Sequence, residues 1–249
     1  MAVQSRAAVW GMRIGVVALI LLALAIIANR YELVVFKFAI LGIAIAGALG
    51  IIAVIVSLIG IVRVLGGKAG MGIAIAGVVL GLIAATPFTT SFVKGRSVPP
   101  IHDITTDLSN PPQFVAVVPL RATSPNPLDR AAPADLAALQ AKAYPDLAPL
   151  KLQEQPGKVF DAARDVAHDM GWEIVAATPE TGLIEATATT SLLRFKDDIV
   201  VRVVEPDAGT VVVDVRSVSR VGMSDLGTNA ARIRAYLSAL KAKLGLAAS

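Results

Sequence analysis

The densest run of polar side chains in this chain lies between residues 214 and 232, near its carboxyl-terminal end. It follows a stretch of β-branched residues and leads into a segment of helical apolar spacing, so we expect it to join a strand to a helix. Backbone N–H groups at a helix start, together with arginine side chains, can bind an anion. The predicted ligand-binding residues are Arg216, Ser217, Ser219, Arg220, Asp225, Asn229 and Arg232.

The same run also has a structural interpretation, which the sequence favours. Asp225 or Thr228 can cap the following helix, and Gly222 and Gly227 can adopt turn dihedral angles. The arginines can pair across a sheet with acids, because charged clusters at sheet ends are usually ion pairs. The candidate partners are Asp214, Asp198 and Glu185.

The chain has two histidines. His102 precedes Asp103 and lies near Asp107, but one imidazole and two carboxylates on irregular chain are a weak pattern for a metal. His168 lies beside Asp169 near the end of a predicted helix, where the helix dipole favours a solvated imidazolium. We therefore predict neither a metal site nor a cofactor.

Motifs of established enzyme classes do not occur in the sequence. It has no Gly-x-Ser-x-Gly elbow, P-loop, HExxH or EF-hand pattern. The absence of cysteine excludes disulfides, thiolate chemistry and cysteine-type zinc sites. An enzyme remains the alternative, with His102 as base or ligand beside Asp103, and with Arg216 and Arg220 as anion clamps.

Several segments resemble one known family, the domain-of-unknown-function family 1499. The Arg-Ser-x-Ser-Arg sequence at 216–220 is the most specific part, and the segments at 101–112 and 184–198 add to it. The resemblance covers about residues 99–244. It implies a membrane- or lipid-anchored protein of bacteria or plastids and gives no reaction. It marks these residues for testing: His102, Asp103, Asp107, Arg216, Ser217, Ser219, Arg220, Asp225, Asn229 and Arg232.

The residues that carry these candidates predict a helix, four strands and a second helix. The predicted bounds are 157–170, 172–177, 183–189, 198–205, 210–219 and 228–244. Short turns join the strands, so neighbouring strands pair antiparallel. One face alternates apolar and the other polar, so both helices should cover the same face. We predict a two-layer α+β sandwich, with a four-stranded antiparallel sheet and helices on one face.

A Pro-rich segment precedes this domain. Residues 97–156 hold eleven of the fourteen prolines, and repeated proline excludes long helices and central strands. We expect residues 97–155 to form an irregular arm with one short helix at Pro133–Tyr144, and the compact domain to occupy 156–249. The arm either lies against the domain or spaces it from a membrane.

Residues 1–96 contain three stretches almost without charge, at about 10–28, 38–62 and 70–93. Each can supply the roughly 20 residues that cross a bilayer, the first with Arg13 snorkelling toward water. Spans two and three have no ionisable residue in their interiors, which disfavours a transporter. Small residues recur at four-residue spacing on both, so we expect these spans to pack together, with a homodimer face as the alternative.

Charge is divided unevenly along the chain. Residues 1–98 hold eight Lys or Arg and one acid, whereas residues 99–249 hold fifteen bases and eighteen acids. A nucleic-acid binder carries its positive charge on the folded domain, so nucleic acid is not an expected partner. The flanking cations nearly cancel, but the free amino terminus favours an N-terminus inside. We predict a multi-pass inner (plasma) membrane protein with a periplasmic or otherwise extracytoplasmic domain.

These expectations favour a non-enzymatic role. We expect a membrane-anchored binding or scaffolding protein of the cell envelope that acts at the membrane surface. Its expected partners are membrane lipid, envelope proteins, a small anionic ligand or a second copy bound through spans two and three. The alternative is a membrane-tethered enzyme that acts on an anionic substrate where His102 meets residues 216–229.

Overall fold

Three long apolar helices begin the chain in a computed structural model that describes residues 2–246. They are α1 (Arg6–Arg30), α2 (Phe36–Leu65) and α3 (Met71–Ser97). Each is long and apolar enough to cross a membrane, with mean hydropathy of 2.5, 2.8 and 2.1 over its best window. The predicted three-helix anchor is therefore confirmed.

Close backbone contacts hold these helices together. A Cβ on Gly50 would lie 2.6 Å from the Gly81 carbonyl oxygen, and a Cβ on Gly81 would lie 2.6 Å from that of Gly50. No side chain fits between α2 and α3 at this point. Ser57 is fully buried between Gly11 and Gly77, so α1 joins the same bundle. The expected packing of spans two and three against each other is observed.

The chain divides into two compact units. The first comprises Met1–Lys94 and Leu192–Arg194, and the second comprises Gly95–Ser191 and Phe195–Ser249. The second unit contains a six-stranded antiparallel sheet in the order β1-β6-β5-β4-β3, with β2 also paired to β6. The strands are β1 (Asp103–Thr105), β2 (Leu150–Leu152), β3 (Glu173–Thr178), β4 (Leu183–Thr189), β5 (Lys196–Asp207) and β6 (Thr210–Ser219).

Helices cover one face of this sheet. Besides the short α4 (Leu136–Ala143), the second unit has α5 (Pro156–Asp169) and α6 (Thr228–Lys243). Apolar side chains of α5 and α6 form one core with the alternating apolar residues of β4, β5 and β6. Trp172 stacks on Tyr236 with ring centroids 5.0 Å apart, and the Tyr236 hydroxyl donates to the Ala163 carbonyl at 2.8 Å. The α+β class, with both long helices on one face, is confirmed.

The predicted number of four strands is wrong, because the sheet has six. The two additional strands, β1 and β2, are three residues long and lie in the Pro-rich segment. Three residues are too few to show an alternating pattern. Nearby prolines do not interfere, because both strands pair only with the outer edge of β6. Residues 97–155 are called the arm. That they form a part separate from the compact domain stays a prediction.

Candidate functional site

The predicted binding residues lie at the end of β6 and the start of α6, but they divide between the two faces of the sheet. Successive side chains of a strand point to opposite faces. Ser217 and Ser219 therefore face the helices, where their hydroxyls contact Asn229. Arg216 and Arg220 point to the other face, where they contact acids. The predicted single site is thus two separate clusters.

On the helix face, Asn229 is the centre of a buried hydrogen-bond network. Its side-chain oxygen accepts from the Ser217 hydroxyl at 2.7 Å and from Arg232 at 2.5 Å. Its amide nitrogen donates to the Ser219 hydroxyl and to the His102 carbonyl, each at 3.0 Å. Asn229 has no exposed surface, so the network joins α6, β6 and the chain before β1 rather than presenting polar groups to a ligand.

The start of α6 is occupied by a carboxylate of the chain itself. Asp225 accepts hydrogen bonds from the backbone N–H of Gly227 at 2.9 Å and of Asn229 at 2.6 Å. Burial raises the pKa of Asp225 above its ordinary value and outweighs these backbone hydrogen bonds. The Asp225 carboxylate therefore occupies the position at the helix start where the sequence predicted an external anion. Asp225 caps α6, as the structural interpretation of the sequence proposed.

Arg232 completes the helix-face cluster through an ion pair. Its guanidinium donates to the Asp197 carboxylate at 2.6 Å, and the two side chains are 10% and 5% exposed. Asp197 and Asp198 are neighbours on β5 and point to opposite faces, since Asp198 pairs with arginines of the other face. The two carboxylates consequently cannot share a substrate.

On the opposite face, Asp103 is held between two arginines. Arg216 donates to it through two nitrogens at 3.1 and 2.8 Å, and Arg130 donates at 2.5 Å. Arg216 is fully buried, and its guanidinium lies over the Phe114 ring at 5.2 Å. Asp103 is 3% exposed, so its carboxylate serves this ion pair and is not available as a solvent-facing catalytic group.

Asp198 forms a second cluster of the same kind. It accepts from Arg220 at 2.9 and 2.8 Å, from Arg121 at 2.5 Å and from the Thr187 hydroxyl at 2.7 Å. Asp103 and Asp198 both lie opposite Val218, so the two clusters are in one row across β1, β6 and β5. The predicted pairing of an arginine of the polar run with Asp198 is confirmed for Arg220, the residue after β6.

These arginines also hold the arm against the sheet. A Pro-rich segment has fewer backbone N–H donors than carbonyl acceptors, because proline lacks the N–H, and a guanidinium group supplies up to five donors. Sheet arginines accordingly donate to carbonyl oxygens of the arm, at distances from 2.6 to 3.1 Å. The pairs are Arg216 with Pro112 and Leu128, Arg220 with Leu120, and Arg202 with Asn110.

A carboxylate of the sheet makes the converse contact. Glu185 accepts hydrogen bonds from the consecutive backbone N–H groups of Val115, Ala116 and Val117 at 2.8 to 3.0 Å. Three N–H groups directed at one carboxylate satisfy it without a cation. Glu185 is 3% exposed, and the arm therefore covers the polar face of the sheet at this point.

Together these groups form a charged layer between sheet and arm. Asp214 pairs with Arg202 at 2.7 Å, and Arg202 also contacts Asp107 at 3.2 Å. The layer contains Arg121, Arg130, Arg202, Arg216, Arg220, Asp103, Asp107, Glu185, Asp198 and Asp214. Its five arginines balance its five acids, so it has no excess charge to attract an anion. Nε of Arg121 and Nη2 of Arg130 are its only buried nitrogens without a partner among the described residues.

The histidine candidates do not converge on a site. His102 lies opposite Ser219, and its ring nitrogen is 3.4 Å from the Met223 carbonyl, whereas the neighbouring Asp103 points to the other face. Asp107 accepts from backbone N–H groups at 109 and 110. No group of three His, Asp or Glu within residues 2–246 could hold a metal ion. His168 is an exposed side chain beside Asp169.

Sequence reasoning missed Arg121 and Arg130, the two arm residues that complete the ion clusters. Their signal is compositional: they are the only Lys or Arg between residues 97 and 141. Isolated cations in a long Pro-rich segment indicate buried partners, since a charge is rarely buried unless it is paired. Nothing in the local spacing identifies which acid that partner is.

The chain matches a known protein family. The family described as "Protein of unknown function (DUF1499)" matches residues 103–240, which is more than half of the chain. The matched region begins at Asp103, the first residue of β1, and ends inside α6. None of the curated proteins matches the chain.

Proposed function

The chain belongs to the DUF1499 family of proteins of unknown function, and we propose that it is a membrane-anchored binding or scaffolding protein. It would act at the membrane surface in the cell envelope. Two features support this role: an N-terminal apolar helical anchor, and an α+β domain that follows it after only five residues, 98–102. Such a connector is too short to act as a long flexible spacer.

The observation that carries the non-enzymatic role is the burial of the polar candidates. Arg216, Ser217 and Asn229 have no exposed surface, and each is hydrogen-bonded to other residues of the domain. A catalytic group must reach the atom on which it acts. We propose that these residues support binding by fixing α6, β6 and the arm, and that the partner contacts the outer surface.

The outer surface of the arm offers side chains for such a contact. Val115 is 65% exposed, whereas Val117, two residues later, is fully buried. We would place a photo-crosslinking residue at each position in the full-length chain and irradiate intact membranes. A discrete adduct from position 115, absent from position 117, is the expected result. Absence of any adduct from position 115 would contradict a partner on this surface.

The enzyme alternative makes a different prediction. His102 is the one candidate base with a partly exposed side chain, and it lies on the opposite face from the proposed clamps Arg216 and Arg220. An activity on an anionic substrate that is lost in His102→Ala, with unchanged thermal stability, would favour an enzyme. We expect no such loss.

For location we propose the inner (plasma) membrane, with an extracytoplasmic domain, periplasmic in a Gram-negative cell. Three crossings from an internal N-terminus support this orientation. Alkaline phosphatase fused after Arg96 is expected to be active, and a fluorescent protein that matures only in the cytoplasm is expected to be dark. The reverse pair of results would place the domain in the cytoplasm.

A further inference from the structure

We propose that one end of the α+β domain contacts the headgroup region of the lipid bilayer directly. The contact is made by what we call the tether-end surface, which consists of Val118, Leu120, Lys196 and Met223. This proposal rests on the proposed function in one respect: α1 to α3 must lie in a membrane. It names lipid itself as a partner of the domain and assigns the residues that touch it.

Hydrogen bonds place this surface where the connector enters the domain. The His102 carbonyl accepts from the Ser219 N–H at 3.0 Å, and the His102 ring lies 3.4 Å from the Met223 carbonyl. Arg220, the next residue after β6, donates its backbone N–H to the Lys196 carbonyl at 3.0 Å. The last residue of the connector therefore lies beside Met223, and the start of β5 lies across β6 from it at the same end of the sheet.

The arm reaches the same end of the sheet. The Arg220 guanidinium donates to the Leu120 carbonyl at 3.1 Å, and Leu120 belongs to a 3-10 turn at Val118–Arg121. The charged groups of this turn and of Arg220 point inward, since Arg121 and Arg220 both pair with the buried Asp198. The outward side chains of the turn that remain are apolar.

The apolar side chains of the tether-end surface are strongly exposed. Met223 is 81% exposed, Leu120 53% and Val118 49%. Exposed apolar residues that share one end of a domain mark an interaction site more often than singly scattered ones do. Lys196 is exposed beside them. Apolar side chains next to a cation suit the boundary between acyl chains and anionic headgroups, where each group finds a matching environment.

The connector identifies lipid as the occupant. Five residues span at most roughly 18 Å when fully extended. When α3 crosses a bilayer, the headgroup region is therefore always within reach of the tether-end surface, whereas a separate protein must first diffuse to it. The opposite end of β6 lies about 30 Å away, because a strand of ten residues rises about 3.4 Å per residue.

The chain has no cysteine, which allows one label to be placed at a time. We would make Met223→Cys and, as the matched control, Ala208→Cys, an exposed position in the turn between β5 and β6 at the far end of β6. Each full-length variant would be labelled with an environment-sensitive fluorophore and reconstituted, one copy per nanodisc, in anionic lipid that contains headgroup-level nitroxide quencher.

The expected result is a blue-shifted, strongly quenched fluorophore at position 223 and an unquenched, solvent-like fluorophore at position 208. Equal quenching at both positions, or none at either, overturns the proposal. In both of these outcomes the protein is still incorporated into the nanodisc, which shows that the anchor lies in lipid. Failure to incorporate at all would instead overturn the proposed membrane function.

Discussion

Asp198 is the residue whose ionisation the fold controls most clearly. Burial disfavours its charged form, but hydrogen bonds from Arg220, Thr187 and Arg121 outweigh burial and hold the pKa of Asp198 below its ordinary value. A carboxyl group with a lowered pKa in the folded state binds its proton less readily there than in the unfolded chain. Its contribution to stability is therefore present above about pH 4 and is lost as the pH falls through the folded-state pKa.

We predict that Asp198→Asn destabilises the domain by about 3–5 kcal/mol near neutral pH, because it leaves the buried Arg121 and the partly buried Arg220 without their counter-charge. The difference from the unmodified protein should shrink below about pH 4, where the wild-type carboxyl also becomes protonated. Urea unfolding of the full chain in detergent, followed by Trp172 fluorescence in a Trp10→Phe background, measures both quantities.

Asp146→Asn is the matched control for Asp198→Asn. Asp146 pairs with Arg234, and the two side chains are 53% and 43% exposed. The expected loss is below about 1 kcal/mol, because exposed pairs are screened by solvent. A loss for Asp198→Asn that is as small as the control, or that does not change with pH, would contradict the assigned role of the buried cluster.

For single residues, the sequence predicts the sheet members of the ion clusters but not the arm members. Alternation along β5 and β6 identifies Asp198 and Arg220 as side chains of the same face, and their pairing follows from it. The other half comes from Arg121 and Arg130 of the arm, whose segment has no period from which a facing direction could be inferred. The helix-capping interpretation of Asp225 was available because capping depends on adjacent residues alone.

Among the elements, the arm is the one that depends most on side chains for its position. Residues 107–131 have no strand of their own, and sheet arginines donate to their carbonyls. We predict that Arg216→Lys speeds chymotrypsin cleavage in this segment at least tenfold, since lysine keeps the charge but lacks the planar fork of donors. A tenfold change in the open fraction equals about 1.4 kcal/mol.

Mass spectrometry of the first fragments from the full chain tests this prediction. The first cut should fall near Phe114 or Leu120. Arg164→Lys serves as control, because Arg164 is 44% exposed and its pairs lie on the surface of α5. If the first cut fell outside residues 107–131 at an unchanged rate, Arg216 would not be what holds the arm.

The crossing of α2 and α3 makes a second prediction about elements. Gly81→Ile should disrupt the anchor itself, because even a Cβ at this position meets the backbone of α2. Gly72→Ile is the matched control on the same helix, since a Cβ there meets nothing within 4 Å. Size-exclusion chromatography in mild detergent after graded heating is the measurement.

We expect aggregation of Gly81→Ile at a temperature several degrees lower than that of the control, which should match the unmodified chain. Equal behaviour of the two variants would show that the backbones can separate at little cost. A change in oligomeric state alone, with unchanged heat resistance, would instead support the homodimer face that the small-residue spacing also allowed.

The elements themselves were predictable where their periods were long. The bounds of β4 and β6 agree with the sequence prediction at both ends, and α6 differs by one residue. The sequence did not predict β1 and β2, because each forms only by pairing with the edge of β6. That edge exists only in the assembled sheet. Tertiary pairing of this kind leaves no local pattern.

At the scale of the whole molecule, the chain separates an apolar, positively charged anchor from a domain with more acids than bases. We predict that the full-length protein stays in the membrane pellet after an alkaline wash that removes peripheral proteins. Residues 95–249 expressed alone should appear in the supernatant. Recovery of the full-length chain in the supernatant without detergent would contradict a bilayer-spanning anchor.

The order of the strands has a consequence for biogenesis. β6 pairs with β1, β2 and β5, and its Arg216 pairs with Asp103, which is translated 113 residues earlier. At about 5–20 residues per second, the ribosome needs roughly 5–25 s to cover that separation. During this interval Asp103 has Arg130 of the arm as a partner but lacks Arg216, while α1 to α3 are already available for insertion. We therefore expect the domain to fold only at the end of translation, and a nascent chain that stalls before β6 to depend on a chaperone or be degraded.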